Sequence, residues 1–205
     1  MDSLLGNGDS RMLLDGALDT TTRTLVDYVQ PIFVLDERGR PELLGSAVLL
    51  QVGDTGLLLT AGHVLEEQRT LYSSFGDTLR ALEVGEQCRV DATKDGIGPV
   101  DFGVVRLPTR WKGLLTGGKR ALVPANLAFA EPVPCEEPVA FVGFPSSRAK
   151  RRPDLGIIER KPFVWVGYSG TPEDYQAQRL LQELHVLVPY GKGLPKLNGM
   201  SGGGA

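Results

Sequence analysis

At 205 residues the chain is long enough to bury a sizeable core, as one domain or as two small halves. Its 22 basic and 25 acidic residues leave a net charge of -3, which removes general attraction to nucleic acid as a basis for function. No apolar run reaches the roughly 18 residues needed to span a bilayer, and the N-terminus lacks the basic-then-apolar pattern of a secretory signal.

The 26 Gly and 14 Pro residues fall between short apolar runs, a distribution that favours an all-β fold. Residues 1–28 are polar and acidic and read as an N-terminal arm, with a weakly helical stretch over 10–18. Strands are expected over 32–35, 45–50 and 57–60, the last two joined by the turn Gly53-Asp54-Thr55-Gly56 as a hairpin. Further strands are expected over 78–83, 87–92 and 102–107. Residues 108–137 hold several prolines and Gly117-Gly118, and read as a linker with some ordered segments. Strand-like runs resume over 139–144, 163–168 and 184–188, with a loop or short helix over 172–181. Two β-rich halves result, 29–107 and 138–205.

Only two cysteines occur, Cys88 and Cys135. Two unpaired thiols in a reducing compartment fit this usage better than one disulfide, which places the chain in the cytoplasm. The basic cluster Arg148-Ala149-Lys150-Arg151-Arg152 with Arg160-Lys161 reads as a solvated surface loop. No aromatic interleaving makes it a nucleic-acid platform. No metal-ligand cluster and no phosphate loop is seen, so neither metal nor cofactor is expected.

A serine hydroxyl is a weak nucleophile at neutral pH and needs a base, which in turn needs a partner to fix its tautomer. The chain has two histidines. His63 follows an apolar strand in Thr60-Ala61-Gly62-His63, where small neighbours let the imidazole emerge; His185 lies inside an apolar strand, the usual place of a packed residue. Asp101 opens the strand Phe102-Gly103-Val104-Val105-Arg106-Leu107, suited to a buried carboxylate that accepts from an imidazole. Ser201 sits in Gly199-Met200-Ser201-Gly202-Gly203, where the glycines allow a tight turn and the amides of Gly199 and Ser201 can converge on an oxyanion.

In this chain order, these three motifs, together with Gly45-Ser46-Ala47, resemble those of the chymotrypsin-like (trypsin-like) serine peptidases. The resemblance covers about residues 29–205. It implies a two-barrel fold: His63 and Asp101 on the first barrel (29–107), a linker (108–137), and Ser201 on the second (138–205). His63 then acts as general base and acid, Asp101 orients it, and Ser201 attacks the carbonyl of a polypeptide substrate, forming an acyl-enzyme. Gly199 and Ser201 supply the oxyanion hole, and no cofactor is needed.

Met200 stands where activated members carry an aspartate, and Val64 stands where secreted members often carry a cysteine. The first makes the chain look closer to bacterial-type members, and both agree with the cytoplasmic reading. Pro195, six residues before the serine, brings no charge to the base of a specificity pocket, and the flanking Lys192 and Lys196 read as solvated loop residues. The sequence stops four residues after Ser201, so the second barrel is expected to be incomplete. Two readings follow. One is a trypsin-like endopeptidase; the other is a catalytically silent peptidase-like module that binds a completing chain or a second copy of itself. Neither reading involves nucleic acid or membrane.

Overall fold

The computed structural model describes residues 20, 24–65, 70–75, 78–83, 85–91, 101–115, 119–126, 132–146, 149–152 and 157–178. The helix expected over 10–18 and the strand expected over 184–188 lie outside them. In chain order the strands are β1 (Val29–Leu35), β2 (Pro41–Val52), β3 (Thr55–Thr60), β4 (Tyr72–Phe75), β5 (Thr78–Ala81), β6 (Gln87–Asp91) and β7 (Asp101–Arg106). The second half adds β8 (Pro138–Gly143), β9 (Ala149–Arg152), β10 (Ile157–Arg160), β11 (Phe163–Tyr168) and the short helix α1 (Pro172–Ala177). The all-β expectation holds. Among the described residues no helix is long and apolar enough to cross a membrane.

Strands β1 to β7 form one antiparallel sheet in the order β5-β4-β1-β2-β3-β7-β6. It curls around a single core. Ile32 and Val34 from β1, Ala47 and Leu49 from β2, Leu58 from β3 and Val105 from β7 meet Val64, Leu65, Leu71, Leu82 and Trp111 in one buried cluster. Leu71 and Leu82 flank the β4–β5 edge, whose hairpin the Leu82 amide extends by donating to the Leu71 carbonyl (2.7 Å).

The central strands are covered on both faces, so Ser46 to Leu50 are all buried. This is why the run 45–50 reads as continuously apolar instead of alternating. The face opposite the curled core carries Val29 and Val48, which pack against Val142 and Phe144 of the second half. Polar contacts fix the same junction. Ser46 Oγ accepts from the Phe144 amide (2.9 Å), and its carbonyl accepts from Thr60 Oγ1 (2.7 Å). Lys119 Nζ donates to the Val26 and Val29 carbonyls (2.8 and 3.0 Å) and lies 5.7 Å from the centre of the Phe144 ring.

Trp111 belongs to the first core, and Leu115 and Ala121 pack against it. Trp111 is only 1% exposed, and its indole N–H donates to the Asp54 carbonyl (3.1 Å). Gly56 makes room for this ring: a Cβ there would lie 2.4 Å from Trp111 Cδ2. Where β1 runs out beside β2, Leu122 takes over, donating to the Leu49 carbonyl (2.9 Å) and accepting from the Gln51 amide (2.7 Å).

In the second half β8 pairs with β11, and Phe141 stacks on Trp165 across the ladder at 6.1 Å. Ser169 closes this pair: its hydroxyl donates to the Pro134 carbonyl (2.6 Å) and accepts from the Glu137 amide (3.0 Å). Helix α1 starts on a capping box in which Thr171 and Asp174 satisfy each other's amides. The basic cluster differs from the surface loop expected, because β9 and β10 form a hairpin there. Its register sets position 150 opposite position 159. Strand β4 was not anticipated either. Tyr72-Ser73-Ser74-Phe75 has too little apolar character, yet Ser73 is fully buried and its hydroxyl donates to the Pro31 carbonyl (2.9 Å).

Because Trp111 fills the core beside the β2–β3 hairpin, Trp111→Ala is expected to cost about 3–5 kcal/mol in urea unfolding. A loss within about 0.5 kcal/mol, as for an exposed connector, would contradict this packing.

Candidate functional site

Strands β3 and β7 are antiparallel neighbours, paired from Leu57↔Arg106 to Thr60↔Gly103. The end of β3 and the start of β7 therefore lie at the same end of the sheet. Beyond Thr60 the chain turns through Ala61 into a 3-10 turn, Gly62–Leu65. Ala61, Val64 and Leu65 are buried and anchor this turn in the core, whereas His63 between them is exposed. On the neighbouring strand, Asp101 is the first residue of β7.

The two side chains meet. His63 Nδ1 lies 2.5 Å from Asp101 Oδ2, and the His63 backbone amide donates to Asp101 Oδ1 at 3.0 Å. A carboxylate accepts, so the proton is assigned to Nδ1. This tautomer leaves Nε2 as the basic nitrogen, and Nε2 makes no hydrogen bond among the described residues. Partial burial pushes the Asp101 carboxyl upward. Hydrogen bonds from the His63 ring, the His63 amide and the Gly62 amide outweigh it and hold the group below its ordinary value.

Asp101 is less enclosed than its sequence position implies. Its side chain is 38% exposed and that of His63 46%. Asp101 lies beside the 3-10 turn, and the stem of Arg89 on β6 lies near the same Gly62. The pair is thus oriented by geometry more than by exclusion of water, and solvent weakens its electrostatic contribution.

Ser201 and Gly199 lie outside the described residues, as do His185, Pro195, Lys192 and Lys196. Cys88 is exposed, Cys135 is half-buried, and both thiols are free. Gly62, expected as a small neighbour that lets the imidazole emerge, has Gly103 and Arg89 close to it, and neither of these two was singled out by the sequence. The motifs Ala61-Gly62-His63 and Asp101-Phe102-Gly103 held the signal for the two glycines.

Since Asp101 is held below its unfolded-state pKa of about 4, its contribution to stability is complete above that value. The contribution disappears as pH falls through the depressed folded-state value. The stability gap between the parent chain and Asp101→Asn is therefore expected to narrow as pH falls below about 4 in urea titrations. A gap independent of pH would contradict the ionised, hydrogen-bonded carboxylate.

No protein-family model matches the chain, and no curated protein does. Among solved structures the chain is similar to neuropsin, a serine protease expressed in the limbic system of mouse brain. That match has 12% identity and a TM-score of 0.52, covering 86% of this chain and 75% of neuropsin. GrC and HBP match at 16% and 15% identity, with TM-scores of 0.42 and 0.44. These two matches cover 74% and 72% of this chain, which spans 64% and 62% of theirs. The neuropsin likeness, together with the antiparallel sheet and its paired His63 and Asp101, gives the chain the chymotrypsin-like fold.

Proposed function

We propose that the chain is a trypsin-like serine endopeptidase that cleaves polypeptides through a Ser201 acyl-enzyme. The observation that carries this reading is the 2.5 Å contact between His63 Nδ1 and Asp101 Oδ2 at the mouth of the first sheet. A histidine held in this tautomer presents Nε2 as a base, which is what a serine hydroxyl requires.

In this mechanism His63 Nε2 takes the Ser201 proton as Oγ attacks the scissile carbonyl. Asp101 stabilises the imidazolium that forms and remains ionised itself. The amides of Gly199 and Ser201 receive the oxyanion. His63 then donates its proton to the leaving amine, and water repeats the sequence to release the acid. The chemistry needs no cofactor. The two free thiols support a reducing, cytoplasmic setting.

A second reading draws on the exposure of the pair, 46% and 38% for the two side chains. In it, the chain is a catalytically silent peptidase-like module that binds a completing chain or a second copy of itself.

A fluorophosphonate separates the two readings. Under the peptidase reading it labels Ser201 stoichiometrically; His63→Ala slows labelling by about three orders of magnitude or more, and Ser201→Ala abolishes it. A folded parent chain that takes no label sinks the peptidase reading and leaves the silent module.

A further inference from the structure

We propose that a second copy of this chain docks its basic β9–β10 hairpin on the exposed end of the β8–β11 sheet, around Tyr168. Pairing sets Val142 opposite Val164, Ala140 opposite Val166 and Pro138 opposite Tyr168, so these six residues share one face of the sheet. At one end of that face Val142 is buried against the first half, and Val164 packs beside it. Farther along, Val166 and Tyr168 emerge, 37% and 61% exposed. Exposed apolar surface that continues an interface and is rimmed by charge is the kind that binds a partner.

The rim here is acidic. Glu136, Glu137, Glu173 and Asp174 are all exposed, and no Lys or Arg occurs in 131–138 or 167–178. Glu136, Glu137 and Glu173 have no ion-pair partner among the described residues. The turn that carries the first two is fixed next to Tyr168. Its Glu136 amide donates to the Ser169 carbonyl (3.1 Å), and the Ser169 amide donates to the Glu137 carbonyl (2.8 Å). A surface already ordered in this way loses little freedom on binding.

The opposite end of the same sheet identifies the partner. The chain leaves β8 at Gly143 and enters β11 at Phe163, and the β9–β10 hairpin lies between them. Of its eight paired residues four are basic and one is acidic. The register puts positions 151 and 160, both arginine, on one face and position 159, the acid, on the other. From the Gly143–Phe163 pair to the Pro138–Tyr168 pair the ladder has five steps, or about 17 Å. Salt screens charges beyond about 8 Å at physiological strength, so the two ends do not neutralise each other within one chain. Between copies they can. Carboxylates accept guanidinium groups, and the exposed Tyr168 ring offers them a face. The contact is heterologous, one end of a copy meeting the opposite end of the next. Docking of this kind does not depend on the peptidase reading, and labelling of Ser201 does not bear on it.

Sedimentation velocity of the full chain tests this. A contact of this size is weak, with a dissociation constant expected between about 10 μM and 1 mM. The parent chain is expected to associate over that range in about 50 mM salt and to be monomeric in about 500 mM. Reversing the rim (Glu136→Lys with Glu137→Lys) weakens association about tenfold or more, as does reversing the hairpin (Arg151→Glu with Arg160→Glu). Mixing the two reversed variants restores it, because each then offers the charge that the other lacks. Tyr168→Ser weakens association in the same direction. Glu37→Lys with Glu42→Lys changes net charge equally on the first half and leaves association unchanged. If one reversed variant fails to fold, the salt response, Tyr168→Ser and the other variant decide the matter. A parent chain that stays monomeric to about 1 mM in low salt overturns the proposal. So does association that survives both reversals, equal weakening by the first-half control, or a mixture that stays apart.

Discussion

The antiparallel pairing of β3 with β7 is the constraint on which the rest of the site depends. Thr60 opposite Gly103 places the residues just after one strand beside those that begin the other. Thirty-eight residues of chain separate His63 from Asp101, yet this register brings them together without a dedicated loop. A one-residue slip would turn Asp101 to the other face of the sheet and separate the pair. The register is fixed in turn by burial, because Leu58 and Val105 are paired and both enter the curled core.

The same sheet explains how the halves are joined. Strands β1 and β2 are buried on both faces, one against the curled core and the other against Val142 and Phe144. Ser46 serves this junction with two hydrogen bonds, one toward the first half through Thr60 and one toward the second through Phe144. Thr60 also ends β3, immediately before the turn that carries His63.

Much of this was legible in the sequence. Strands β1, β2, β3 and β5 to β8, together with β11, were expected from short β-like runs bounded by turn residues. The His63 and Asp101 positions followed from motif context. Other features were hidden for physical reasons. Strand β4 carries Ser73, whose burial depends on a partner carbonyl supplied 42 residues away. Trp111 lies among prolines and charges in a stretch that looks like a connector, and its burial depends on the space left by Gly56. Half of the residues in β9 and β10 are basic, and neither strand shows a clean alternation.

The proposed peptidase chemistry requires the His63–Asp101 pair and Ser201 to form one site. A crystal structure measures this most directly, through the distance from His63 Nε2 to Ser201 Oγ. The account predicts a separation of about 3 Å, or one bridging water, with the Nδ1–Asp101 contact retained. Ser201 placed well beyond such reach, in crystals that preserve the first sheet, would contradict it.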